Sequence, residues 1–376
     1  MIERLELLNA PTKQERLENL RAMIADEKQP PSPKPEYANN HIHTTYSFSP
    51  YSPSAAVYFA RAVGLQTAGI MDHDTICGAD EFRKAAEIAG VAVTCGAECR
   101  VSLRGTPLDG RKVNNPDQNG IAYMAVHSVM PDGYALFEQV LAPLRKHRNA
   151  RNMAMTERIN ALASPLGIEL DFERDVLGCS LYHQGGSVTE RHLMWALAGR
   201  VMELRDPARA MSKLGVTKKI NPASPSLQYD LLGAFKAELI GQVYIPATDE
   251  CMTLNELVEI SAKVGAILCY PYLGDVGESI TGDKRRQQFE DSYLDELFEF
   301  LDGVGVRGVT YMPSRNTPAQ LERIVRLCQR YDMTQVCGED INSPGQDFIC
   351  EKLREPGFSH LVDTTWKLVE RERGAK

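Results

Sequence analysis

Apolar positions along the chain follow two alternating periods, and the switches between them mark out its elements. Leu5, Leu8, Leu17, Leu20 and Met23 recur at roughly helical spacing, so residues 3–26 read as a helical arm. The segment QPPSPKPEY stops any helix and forms a stiff, extended linker, closing an N-terminal unit over residues 1–37. The simplest role for this unit is a strap over the domain's own surface; an arm that joins two copies into a homodimer is the alternative.

A β/α rhythm begins at residue 38. A strand ending in NNHIHT is followed by the helix SPSAAVYFARAVGL, which Ser52-Pro53 opens and Gly64 closes. The strand TAGIMDHD, the helix ADEFRKAAEIAG and the strands VAVTCGAE and IAYMAVHSV come next. Residues 134–244 turn helical and irregular, with helices in EQVLAPLRKHRNARNMAMTERINALASP and TERHLMWALAGRVMELR, and read as an insertion that caps the mouth. The rhythm returns over 245–376 in AILCYPYLG, SYLDELFEFLDGVGVRGVTYM, PAQLERIVRLCQRYDM and TQVCGEDIN. Residues 38–133 and 245–376 therefore form one α/β domain around a largely parallel sheet or barrel. Such domains bind ligands at the C-terminal ends of their strands.

Composition narrows the classes. Apolar residues make up 43% of the 376, which excludes a disordered chain. A net charge of −8 argues against a nucleic-acid polymer as partner, while leaving room for a local basic pocket. No apolar run reaches the roughly 20 residues a membrane-spanning helix needs, so no membrane partner is expected. The charged N-terminus lacks a signal-peptide core. Nine scattered cysteines without a CxxC pair predict reduced thiols, a cytoplasmic location and no structural thiolate zinc site.

The chemistry collects at strand ends. His41 and His43 are two residues apart, which on a strand sets both imidazoles on one face with Cα atoms about 7 Å apart. Asp72-His73-Asp74 follows at the next strand end and Glu98 at the third. Side chains of this kind at three consecutive strand ends suit a cation, because unpaired buried charge is costly. These stretches (HIHTTYS, MDHD, GAE), with AVHSV, TERHLMWALAGR and VCGEDIN after them, resemble the PHP superfamily of polymerase and histidinol phosphatase domains, and in particular its stand-alone metal-dependent phosphoesterases. The resemblance covers about residues 38–345 in the same order.

It implies a distorted (β/α)7 barrel with up to three metal ions at its C-terminal mouth. His41, His43, Glu98 and Asp340 would form the first metal site. Glu98 would bridge to a second ion held by His127 and by the histidine of an HP pair, whose place Tyr270-Pro271 takes here. Of the third set only His73 remains, since Phe48 or Ser49 and Asn342 stand at the other positions. Tyr270 and Asn342 are kept as replacement ligands, with Asp275 as a further substitute. One ion or two of manganese, iron or zinc are expected, rather than three.

The reading that follows is a metal-dependent hydrolase cleaving a phosphoester of a small metabolite or nucleotide. A cation lowers the pKa of bound water from 15.7 to about 7 and so supplies hydroxide. Asp72 and His73 are the catalytic candidates, and Asp72 serves equally well as a positioner of the two histidines. Arg191 and His192 open an apolar cap helix and, with Tyr311 and Arg315 after a late strand, are the substrate-binding candidates. Arg148 and Arg151 either line the pocket entrance or face water; Lys284-Arg285-Arg286 reads as a solvated helix start. The competing readings are hydrolysis of a different bond and a non-catalytic metal- or ligand-binding module.

Overall fold

The computed structural model describes residues 2–275 and 288–374, so the Lys284-Arg285-Arg286 run lies outside the described residues. Helices α1 (Ile2–Leu8) and α2 (Lys13–Ala25) form the arm, with Thr12 and Glu15 making a reciprocal cap at the start of α2. Leu8, Leu17 and Leu20 are buried in the main core, and Arg16 holds Glu81 through contacts of 2.5 and 2.9 Å, both side chains buried. The arm folds onto its own domain.

The barrel begins with β1 (Asn39–Ile42), α3 (Pro53–Ala62), β2 (Thr67–His73), α4 (Ala79–Ala89), β3 (Ala92–Ser102) and β4 (Ile121–His127). Ser52 caps α3 with Pro53 in its first turn, as the sequence signal predicts. A cap of α5 (Tyr134–Ala163), α6 (Glu190–Met202), α7 (Pro207–Lys213), α8 (Leu227–Glu238) and α9 (Ile240–Val243) intervenes. The chain returns through β5 (Met252–Thr253), α10 (Leu254–Lys263), β6 (Ile267–Pro271), α11 (Leu294–Val304), β7 (Gly308–Tyr311), α12 (Pro318–Arg330), β8 (Thr334–Cys337) and α13 (Ser359–Gly374).

The sheet runs β1-β2-β3-β4-β6-β7-β8, with β5 added beside β3. A bridge between Ile42 and Ile341 brings the far edge back to β1, so seven strands make a nearly closed barrel of the expected type. One strand departs from the expected direction: β4 is antiparallel to both neighbours, β3 and β6. Met71, Ala125, Cys269 and Val336 form an interior cluster with Leu368 of α13. Glu372 of that helix accepts the Cys95 N–H, so α13 closes the end of the barrel opposite the mouth. The cap has a separate apolar core that includes Met155, Leu193, Leu197, Phe235 and Val243.

Candidate metal centre

The seam that closes the barrel also fixes the first two ligand candidates. His43 N–H donates to the Ile341 carbonyl at 3.0 Å, and Ile341 N–H donates to the His41 carbonyl at 3.1 Å. Gly338 is required beside them, because a Cβ there would lie 2.5 Å from the His41 Cβ. The imidazoles of His41 and His43 then meet edge to face with centroids 5.0 Å apart. His43 Nε2 stands 3.3 Å from Asp340 Oδ1, and His41 Nε2 stands 3.7 Å from Glu98 Oε1. The other Glu98 oxygen is 3.0 Å from His73 Nδ1, and the His73 ring stacks on His43 at 4.6 Å.

Two convergent groups result, His41/His43/Asp340 and His43/His73/Glu98, each with donor atoms within 4.8 Å of one another. His43 is common to both, and the two Glu98 oxygens face different histidines. The donor set suits a transition metal such as zinc, manganese or iron. The orphaned polar atom points the same way: His73 Nδ1 is buried close to Glu98 without an aligned hydrogen bond. Burial depresses the His41 pKa against the pull of Glu98, and burial with the charge of His43 pushes His73 well below its ordinary value. Burial also opposes charge on His43, but the hydrogen bond and charge of Asp340 outweigh it and raise that pKa. Burial works against ionisation of Asp340 too, yet His43, His41 and Arg191 hold its carboxyl well below the carboxylate range. Glu98 is raised by burial. A cation would displace the shared protons and leave neutral imidazoles facing carboxylates.

Asp72 is turned away from these donor atoms. It accepts from Thr44 N–H at 2.7 Å, Thr44 Oγ1 at 2.6 Å and Ser47 Oγ at 2.6 Å. Ser47 Oγ in turn lies 3.4 Å from His43 Nδ1, so Asp72 organises the loop behind that histidine. Asp74, the third residue of the triplet, carries a positive φ of 50° and its N–H donates to the Glu98 carbonyl at 3.0 Å.

The cap residues divide. Arg191 reaches the site: its Nη1 is 3.4 Å from Ser343 Oγ, its charge acts on Asp340, and its guanidinium sits 6.0 Å from the Phe48 ring centre. His192 accepts the Thr189 N–H at 3.0 Å through Nδ1, making the helix cap, and its ring meets Phe48 at 5.0 Å. Burial brings its pKa down to about 3, so it is a neutral wall residue. Arg148 and Arg151 neither line an entrance nor face water. Arg148 binds Asp74 at 2.6 Å and Glu190 at 2.9 Å, Arg151 binds Glu190 at 2.5 Å and Glu250 at 2.6 Å, and Arg100 of β3 pairs with both glutamates. This buried network ties the cap to the barrel beside His73.

Four further sequence candidates lie outside the two ligand groups. His127 ends an antiparallel strand opposite Ile267, the first residue of β6, on the same inward face as Ala125 but deeper than Glu98; it is in neither ligand group, yet the charge of His41 acts on it and both its ring nitrogens are buried without hydrogen-bond partners among the described residues. Tyr270 packs in the outer core while its neighbour Cys269 faces the barrel interior, and its hydroxyl accepts the Asn114 N–H at 3.2 Å. Asn342 donates its amide to Asp340 Oδ1 at 2.6 Å, and its own carbonyl oxygen accepts from Ser343, so it braces a ligand candidate. Asp275 spends its carboxylate on the Phe289 N–H at 2.5 Å. Phe48 joins the cap's aromatic cluster with Trp195 and Tyr229.

A cleft of about 60 Å³ opens on this centre, lined in part by His41, Glu98, Asp340, Pro271 and Tyr311. Tyr311 borders it with its hydroxyl donated to Gln335 at 3.0 Å, and Arg315 Nε donates to the Leu273 carbonyl at 3.3 Å. The residue that sequence reasoning missed is Tyr123. Because β4 is antiparallel, its first half is the part at the mouth, and the Tyr123 ring lies 5.7 Å from that of His73.

A seven-stranded barrel with imidazole–carboxylate groups that could hold a metal ion at its mouth is the architecture expected from the strand-end motifs. Residues 39–165 match the family model of the PHP domain, so the resemblance read from the strand-end motifs holds over those residues. A 5'-3' exoribonuclease of Haemophilus influenzae is 37% identical over 65 residues, which are 17% of this chain and 24% of that protein; the chain thus spans about a quarter of that relative. A candidate metal-dependent phosphoesterase from Bifidobacterium adolescentis superposes with a TM-score of 0.58 at 20% identity, over 91% of this chain and 98% of its own. An amidohydrolase from Chromobacterium violaceum, solved with sulfate and no metal, gives 0.55 at 16% identity over 87% and 96%. Among the described residues no helix is long and apolar enough to cross a membrane.

Proposed function

We propose that this protein is a metal-dependent hydrolase that cleaves a phosphoester of a small metabolite or nucleotide. The observation that carries the reading is the pairing of two convergent ligand groups with an arginine whose charge bears on Asp340. His41, His43, Asp340 and Glu98 would hold one ion of manganese, iron or zinc, and His73 with the second Glu98 oxygen would begin a second position. Such an ion activates water and offsets negative charge at phosphorus.

The remaining work falls to the chain. Arg191 grips the phosphoryl oxygens and draws the ester toward the ligand groups. Asp72, through Thr44 and Ser47, holds the loop that carries His43. The buried arginine network keeps the start of α6, and with it Arg191, in fixed relation to His73. The exoribonuclease relative supports chemistry at a phosphoester. The amidohydrolase name supports a second reading, hydrolysis of a bond other than a phosphoester.

Phosphate release from a panel of phosphomonoesters, measured with added manganese, tests the proposal. Turnover is expected, and Arg191→Ala should raise KM at least about tenfold, the scale of one charge-assisted hydrogen bond. A folded, metal-loaded protein that releases no phosphate while hydrolysing amides would favour the second reading.

A further inference from the structure

Along β4 the residues Tyr123, Ala125 and His127 share one face, and Ala125 lies in the interior cluster opposite Glu98. Tyr123 therefore faces inward one step closer to the mouth, paired with Arg100 across the sheet. Its backbone is clamped: Asn114 Oδ1 accepts the Tyr123 N–H at 2.9 Å, while Asn114 Nδ2 donates to the carbonyls of Tyr123 at 2.9 Å and Pro271 at 2.7 Å. The ring tilts at 46° toward His73, and the charges of Arg100, Glu190, Asp117 and Arg148 bear on it. Its hydroxyl makes no hydrogen bond to any described residue. It is not among the buried polar atoms without a partner, so it is open to solvent and accessible to a ligand.

The order of side chains across the mouth completes the picture. Asp340 lies 3.3 Å from His43, the His43 ring 4.6 Å from His73, and the His73 ring 5.7 Å from Tyr123. Arg191 bears on the Asp340 end of this row and Tyr123 stands at the other. We propose that Tyr123 is a substrate-binding residue, whose phenol O–H donates a hydrogen bond to a phosphoryl oxygen of the substrate on the His73 side of the ligand groups. The assignment rests on the phosphoester reading above. It adds a neutral donor beside His73, where hydrogen bonds aimed at developing charge are worth most. Phenylalanine would fill the same space and pack equally well on His73, so the hydroxyl is the testable part.

The experiment uses the intact, manganese-loaded protein and its Tyr123→Phe variant, with inorganic phosphate as the calorimetric probe and 4-nitrophenyl phosphate as substrate. Metal content and thermal unfolding are recorded for both. The variant is expected to keep its metal and its Tm but to bind phosphate about tenfold to a hundredfold more weakly, with kcat/KM falling in step. Unchanged phosphate affinity and kcat/KM in the variant would overturn the role of Tyr123 while leaving the phosphoester reading intact. A variant that loses its metal would also overturn it, since Tyr123 would then be supporting His73. Wild-type protein that binds no phosphate and turns over no ester would overturn both.

Discussion

His41 and His43 are oriented by hydrogen bonds across the closing seam, and their neighbours by hydrogen bonds that reach back from the loops. Asp72 shows how much this support counts, because every polar contact it makes leads to the loop behind His43. Replacing it by Asn removes one acceptor oxygen from a cluster of three donors. Asp72→Asn is expected to fold yet bind manganese about 10- to 100-fold more weakly, as partners behind metal ligands do; calorimetric titration at wild-type affinity would show that Asp72 has another role. The ligand-type residues on parallel strands were legible from sequence, because strand ends in a β/α series converge at one mouth. The role of Asn342 was not, since an amide two residues from Asp340 can ligate a cation or brace the carboxylate, and only geometry separates the two.

Strand direction separates what was legible among the elements from what was not. The strands, the α3 cap and the cap helices follow from period, capping residues and Gly/Pro punctuation. Period-2 alternation carries no sign of direction, so the antiparallel course of IAYMAVHSV, which puts Tyr123 nearer the mouth than His127, was not legible. Likewise the basic run of α5 gave no hint of its partners, which lie 74 and 42 residues away for Arg148. At the opposite end of the barrel, α13 brings Glu372 into the interior, where burial raises its pKa to about 8 against the pull of its hydrogen bond to Cys95 N–H and the charge of Arg83. A raised folded-state pKa means that the native state keeps a proton the unfolded state has released. Its contribution is therefore complete below about pH 4.5 and is lost as pH rises through about 8, by at most about 1.4 kcal/mol per pH unit. Denaturant unfolding across that window should show a decline that Glu372→Gln flattens; an equal slope in the variant would remove Glu372 from the account.

Across the whole molecule, closure of the barrel, the docked arm and the ion-pair network all act on one end of the sheet. The arm holds the loop that follows the histidines, with Asn9 bound to the Pro50 carbonyl at 2.7 Å and to Ser52 N–H at 2.8 Å. The network ties α5 and α6 to β3 and Asp74 beside the ligand groups. These constraints hold imidazoles and carboxylates within a few ångströms in a buried setting, an arrangement that a cation stabilises and protons alone satisfy poorly. The most direct test is elemental analysis of the purified protein, repeated after dialysis against manganese. At least one equivalent of manganese, iron or zinc is expected in the wild-type protein and should be lost in His41→Ala. A well-folded wild-type protein that carries no transition metal and takes up none would contradict the account.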